Sequence, residues 1–149
     1  MVTTEWYFGN ENLSDVHLIR RKVFIEEQHI DEKIEMDDTD ASCIHLAAYS
    51  DGKPMATGRV LITNNEFIIG RVAVLPAYRK KQMGTFIMQI LIHACYTMGG
   101  EHQIVHAQLA AQSFYEKLGF NAYGDVYDEA GIPHISMEHF GDIDVICNK

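Results

Sequence analysis

The chain has 149 residues, 47% of them hydrophobic and 22% charged, with a formal net charge of −9. That balance suits one domain, residues 1–149, built around a single sizeable core. It argues against a nucleic-acid surface, which needs broad positive charge, and no apolar run approaches the roughly 18 residues of a membrane span.

The N-terminal stretch MVTTEWYFGNENLSD has no basic region followed by an apolar one, so no secretory signal is expected. Within it, TEWYFG (4–9) reads as a strand ending at a glycine turn. Ser14 reads as the N-cap of a helix reaching about Gln28, with Val16, Ile19 and Val23 on one face. DEKIEMDDTD (31–40) carries six carboxylates and reads as a solvated loop or short helix. IHLAAY (44–49), PMATGRVLI (54–62) and EFIIGRVAVL (66–75) read as three antiparallel strands. Asp51-Gly52 or Gly52-Lys53 closes the first hairpin, and Asn64-Asn65 turns the chain into the next strand. TFIMQILIHACYTM (85–98) reads as a largely buried helix with one polar stripe, stopped by Gly99-Gly100. QIVHAQ (103–108) is a strand and AAQSFYEKLG (110–119) a short helix. NAYGDVY (121–127) and HISMEHF (134–140) are the last strands, and the final few residues read as a loose tail. The order β-α-β-β-β-α-β-α-β-β is that of a mixed α/β layer fold. Cys43, Cys95 and Cys147 have neither zinc nor disulfide spacing; each reads as a small apolar side chain in a reducing cytoplasm.

One stretch departs from the acidic background. RVAVLPAYRKKQMG (71–84) places Arg79, Lys80 and Lys81, three of the chain's 12 Lys and Arg, in a single turn between a strand and a helix. A helix start offers unpaired N–H groups and a positive dipole end, and consecutive turn amides can form an anion nest. Gly84 leaves room for a ligand. Phosphate binding and simple solvation of the turn both fit these residues; neither a Walker loop nor GxGxxG is present.

VAVLPAYRKKQMG (72–84) resembles the acyl-CoA-binding signature of the GNAT superfamily of N-acetyltransferases, Arg/Gln-x-x-Gly-x-Gly/Ala. Arg79 matches its first position and Gly84 its last, with Gln82 where the first glycine is usual. QLAAQSFYEKLGF (108–120) resembles the family's second signature, Asn-x-x-Ala-x-x-x-Tyr-x-x-x-Gly-Phe, through Ala111, Tyr115, Gly119 and Phe120, with Gln108 in place of the asparagine. VFIEEQ (23–28), IHLAAY (44–49) and AGIPHISM (130–137) resemble the ElaA/YjcF-like branch. The resemblance spans essentially the whole chain. It implies a GNAT-like, mostly antiparallel central sheet flanked by helices. It also implies acetyl-CoA as co-substrate without a metal, and acetyl transfer to a primary amine by direct attack in a ternary complex.

By that resemblance, the backbone of Val72, Ala73 and Val74 pairs with the pantetheine arm. The pyrophosphate sits on Arg79, Lys80, Lys81, Gln82, Met83, Gly84 and Thr85, with Gln108 and Phe114 nearby. Tyr115 is the expected proton donor to the leaving thiolate, and the Val74 N–H or a neighbour the oxyanion donor. For the base, His45 and His134 are the candidates because imidazole is the side chain suited to proton exchange near neutrality, Glu26 or Glu27 could line the acceptor pocket, and a water chain could replace them all. The acceptor is expected to be a small-molecule amine, with no nucleic-acid or membrane partner, on a monomer or homodimer. The alternatives are a non-catalytic acyl-CoA-binding sensor of the same fold, and an unrelated phosphate- or nucleotide-binding α/β domain.

Overall fold

The computed structural model describes residues 1–143, so the expected tail and Cys147 lie outside the described residues. Alternating apolar and polar residues form strands as expected: β1 (Val2–Phe8), β2 (Cys43–Ser50), β3 (Lys53–Thr63), β4 (Glu66–Val74), β5 (His102–Gln108), β6 (Asn121–Glu129) and β7 (Ile132–Phe140). They make one seven-stranded sheet in the order β1-β2-β3-β4-β5-β7-β6. Every neighbouring pair is antiparallel except β4 and β5. Ser50 pairs with Lys53, so Asp51-Gly52 closes the first hairpin, with φ of 48° and 81°. Positive φ at both central residues is the turn geometry that matches strand twist, and Asn64-Asn65 repeats it.

Among the described residues four α-helices flank the sheet: α1 (Ser14–Arg20), α2 (Glu32–Glu35), α3 (Met83–Thr97) and α4 (Gln112–Lys117). α1 runs on as a wider π-helix over Arg21–Glu27, so the helical stretch does end near Gln28 but changes pitch midway. Ser14 is the first helical residue, not the cap. Leu13 holds the cap position without a side-chain hydrogen bond and is itself buried, so apolar packing sets the entry.

α3 buries Ile87, Met88, Leu91, Ile92 and Cys95 against one face of the sheet. Burying each large aliphatic chain is worth about 1.5–3 kcal/mol, which makes this the principal core. A Cβ at Gly58 would lie 2.6 Å from Leu91 Cδ1, so glycine is what lets α3 approach β3 so closely. On the opposite face, Ile19, Val23 and Phe24 of the first helical stretch pack on Ala73. The short helix expected within residues 31–40 forms as α2, followed by a 3-10 turn (Asp38–Ser42), and much of the segment is exposed; the correction concerns Glu35 and Asp40, which are buried.

Candidate active site

The parallel β4–β5 pairing lasts three residues, from Phe67↔Gln103 to Ile69↔Val105. Beyond it the strands part, and a cleft of about 1100 Å³ opens between Gly70–Val74 and His106–Gln108. The bulge between β3 and β4 helps to part them: Thr57 pairs with Ala73 and Arg59 with Gly70, leaving Arg71 and Val72 opposite Gly58. Leu75 N–H is spent on the Met55 carbonyl at 3.0 Å. Strand alternation then turns the Val74 and Val72 N–H groups away from β3, toward the cleft.

The 79–85 turn lines the same cleft. Lys80 and Gln82 have φ of 68° and 55°, so the turn is built from left-handed residues in alternation. This explains the usual glycine at the position of Gln82: the backbone there needs positive φ, which glutamine adopts at a cost in strain. No side chain caps α3, and its first N–H bond to an upstream carbonyl runs from Phe86 to Gln82 at 3.0 Å. The amides of Met83, Gly84 and Thr85 are therefore available to an anion. A Cβ on Gly84 would press on the Phe114 ring at 3.3 Å. Lys80 lines the cleft; Lys81 does not. Arg79 lines it too, but its fork grips both carboxylate oxygens of Glu27 at 2.7 Å while Nε donates to the Val74 carbonyl at 2.9 Å. Arg79, expected at the pyrophosphate, here straps the turn to the π-helix. Glu27 is thus committed to Arg79, and neither it nor Glu26 lines the cleft.

Across the cleft, Phe114 and Tyr115 come from α4, their rings edge-to-face at 5.0 Å. Burial pushes the Tyr115 hydroxyl up to about 12, so it remains a proton donor at any physiological pH. Gln108 Nε2 donates to Gln28 Oε1 at 2.7 Å, linking β5 to the end of the π-helix. His134 is buried beneath the cleft wall. Its Nδ1 donates to the Ile132 carbonyl at 2.8 Å, which leaves Nε2 as the lone-pair nitrogen, 3.7 Å from Glu129 Oε2. Gln28, His106 and Glu129 line the cleft without having stood out in the sequence. His106 is the one exposed position of β5, but the strand also carries polar residues at 102, 103 and 108, so the sequence does not set it apart.

His45 is different. It is wholly buried, bonded through Nε2 to the Asp40 carbonyl at 3.1 Å, and has no face on the cleft. Burial lowers its basicity further. The expectation that it could deprotonate an acceptor fails on access alone. It belongs instead to an ion network whose Glu35 and Arg59 reach the cleft wall. Arg20 donates to Glu35 Oε2 at 2.7 Å and to Asp40 Oδ1 at 2.8 Å, and Arg59 donates to the same Asp40 oxygen at 2.8 Å. Burial alone would raise Asp40, but the hydrogen bonds and charges of Arg20 and Arg59 outweigh it and hold the carboxyl far below its usual range. Glu35 goes the other way, raised by burial despite Arg71 and Arg20. Among the described residues no group of His, Cys, Asp and Glu has the arrangement of a metal site.

A family model described as the acetyltransferase (GNAT) domain matches residues 10–139. YyaT of Bacillus subtilis strain 168 is 35% identical over 91% of this chain and 90% of its own length. YjcF of the same strain, an uncharacterised N-acetyltransferase, is 31% identical over 87% and 93%. Among solved structures, an acyl-CoA N-acyltransferase from Pseudomonas aeruginosa superposes with a TM-score of 0.85 at 28% identity, covering 93% of this chain and 99% of that one. Escherichia coli ElaA superposes at 0.84 and 26%, covering 92% and 99%. With a sheet, a β4–β5 opening and both sequence signatures in agreement, the chain belongs to the GNAT acetyltransferase family.

Proposed function

We propose that this protein transfers the acetyl group of acetyl-CoA to a primary amine by direct attack in a ternary complex. The observation that carries this reading is the parted β4–β5 pair with Val72 and Val74 N–H groups turned into it, beside a turn rich in free amides. Val72 and Val74 supply strand-like partners for an extended amide-bearing arm. The amides of residues 80–85 and the side chain of Lys80 hold phosphate oxygens. The Val74 N–H faces the carbonyl oxygen as negative charge develops there.

His134 Nε2 accepts a proton from the acceptor ammonium, and Glu129 steadies the imidazolium that results. The freed amine nitrogen bonds to the thioester carbon. The carbon–sulfur bond then breaks, and the electron pair leaves on sulfur. Tyr115 gives the sulfur its proton, the phenolate so formed takes the second proton from the attacking nitrogen, and His134 passes the first to solvent, so the products are an N-acetyl amide, the free thiol of CoA and one released proton. Proximity supplies much of the rate, because both reactants lie in one cleft.

The test joins binding to turnover. Acetyl-CoA at millimolar concentration is expected to raise the thermal midpoint, since it binds only the folded chain. Thiol release is expected when a suitable amine is added. Absence of both effects overturns the reading; a midpoint shift with no thiol release from any amine favours the sensor alternative.

A further inference from the structure

Arg71 stands at the β3–β4 bulge with φ of 50°, a backbone state that L residues avoid and that gathers at ligand sites. Its side chain lies on the cleft wall. The bonds it makes there are poor. Nη2 reaches the carbonyls of Ile34 and Glu35 at 3.3 and 3.4 Å and Asp37 Oδ2 at 3.4 Å. Nε is 3.0 Å from Glu35 Oε2, yet its N–H is not aimed at that oxygen and stays buried without a hydrogen bond. Arg20 differs, with three donors engaged at 2.7–2.9 Å, and so does Arg79, whose fork is closed on Glu27 at 2.7 Å.

We propose that Arg71 binds a carboxylate of the acceptor, so that the acceptor is an amine carrying a carboxylate a few bonds from its nitrogen, an amino acid in chemical class. This rests on the acetyl transfer proposed above and names its substrate. A guanidinium fork matches a carboxylate in shape as well as charge, and the hydrogen bonds this fork would exchange are long ones of 3.3–3.4 Å, although the charge of Glu35 lies 3.0 Å from Nε. The competing carboxylates are already held. Asp40 serves Arg20 and Arg59, Glu35 Oε2 accepts from Arg20 at 2.7 Å and lies 3.0 Å from Arg71 Nε without a hydrogen bond, and Asp37 Oδ1 accepts from Thr39 N–H at 3.0 Å. Arg71 also immediately precedes Val72–Val74, the segment proposed to hold the acetyl group. A ligand anchored at Arg71 therefore has its nitrogen near the reacting carbon. The rival is a polycationic amine gathered by Asp37 and Glu129.

The experiment uses matched probes: each standard L-amino acid, its carboxamide, its decarboxylated amine, and spermidine. Thiol release from acetyl-CoA is followed, and calorimetry in the presence of CoA measures binding without turnover. Wild type is expected to accept one or more amino acids and to lose at least about tenfold in kcat/KM, chiefly through KM, on the matching carboxamide. Arg71→Lys keeps the charge and loses the fork; it is expected to shrink the acid-to-amide ratio below about threefold, with acetyl-CoA affinity within about twofold of wild type. Preference for spermidine or a neutral amine, binding of no amino acid, or an unchanged ratio in Arg71→Lys overturns the proposal. If that variant does not fold, the wild-type ratio decides. Failure of acetyl transfer itself is seen separately, as no thiol release with any amine, and calorimetry then still reads the carboxylate site.

Discussion

Asp40→Asn is a sharp perturbation, because it removes a charge while keeping the side chain's shape. Oδ1 of Asp40 accepts from both Arg20 and Arg59 at 2.8 Å, and Oδ2 lies 3.2 Å from His17 Nε2. Its side chain is 6% exposed and that of Arg20 1%, so water cannot take over the lost solvation. Breaking one partner of a buried pair costs about 3–5 kcal/mol. At about 2.1 cal/mol/K of unfolding entropy per residue, a chain of this length loses roughly 10 °C or more in Tm for that cost. Urea unfolding at pH 7 gives the free energy directly. The pH dependence supplies a second reading. Asp40 is depressed in the folded state, so its contribution is complete above the unfolded value of about 3.9 and fades as pH falls toward its folded value. The gap between wild type and Asp40→Asn is therefore expected to narrow below about pH 4. A gap under about 1 kcal/mol at pH 7, or one that stays constant into acid, would refute the idea that two arginines depend on this carboxylate.

Tyr115→Phe keeps the ring contacts and removes the donor, so kcat is expected to fall by roughly 10²–10⁴ with little change in acetyl-CoA binding. A variant retaining half of wild-type kcat, with chemistry limiting, assigns the proton to water or another group. Because burial holds the wild-type hydroxyl near 12, the rate is expected to show no alkaline fall before about pH 10. Glu27→Ala unstraps Arg79; CoA affinity is expected to rise about three- to tenfold at low salt and to become more salt-dependent. Weaker binding would instead mean that Glu27 holds Arg79 in its useful position.

Strands, helices and hairpin turns were legible because their signals are local: alternation, helical spacing, and Asp-Gly or Asn-Asn at the tips. The two signatures, read together, placed the cleft. What escaped was set by distant partners. Glu35 and Asp40 look like solvated acids because the arginines that bury them come from positions 20, 59 and 71. His45 and His134 look alike in sequence, both close to the end of a strand, yet one is buried on the Asp40 carbonyl and the other lines the cleft. The pitch change after Arg20 has no marker in RKVFIEE that we can identify.

The short β4–β5 contact has a consequence for how the molecule is assembled. Strands β1 to β4 form one meander and β5, β7 and β6 a second antiparallel group; within the sheet three residue pairs join them, with α3, the shared core and the Gln108–Gln28 bond as the other ties. Those pairs join residues about 36 apart, Phe67 with Gln103, so their loop-closure cost is high for few bonds gained. The seam is thus the least reinforced line in the sheet, and the place where the two halves would part first. A ligand lying along Val72–Val74 bridges that line like an added rung, so occupancy of the cleft also laces the two halves of the protein into one body.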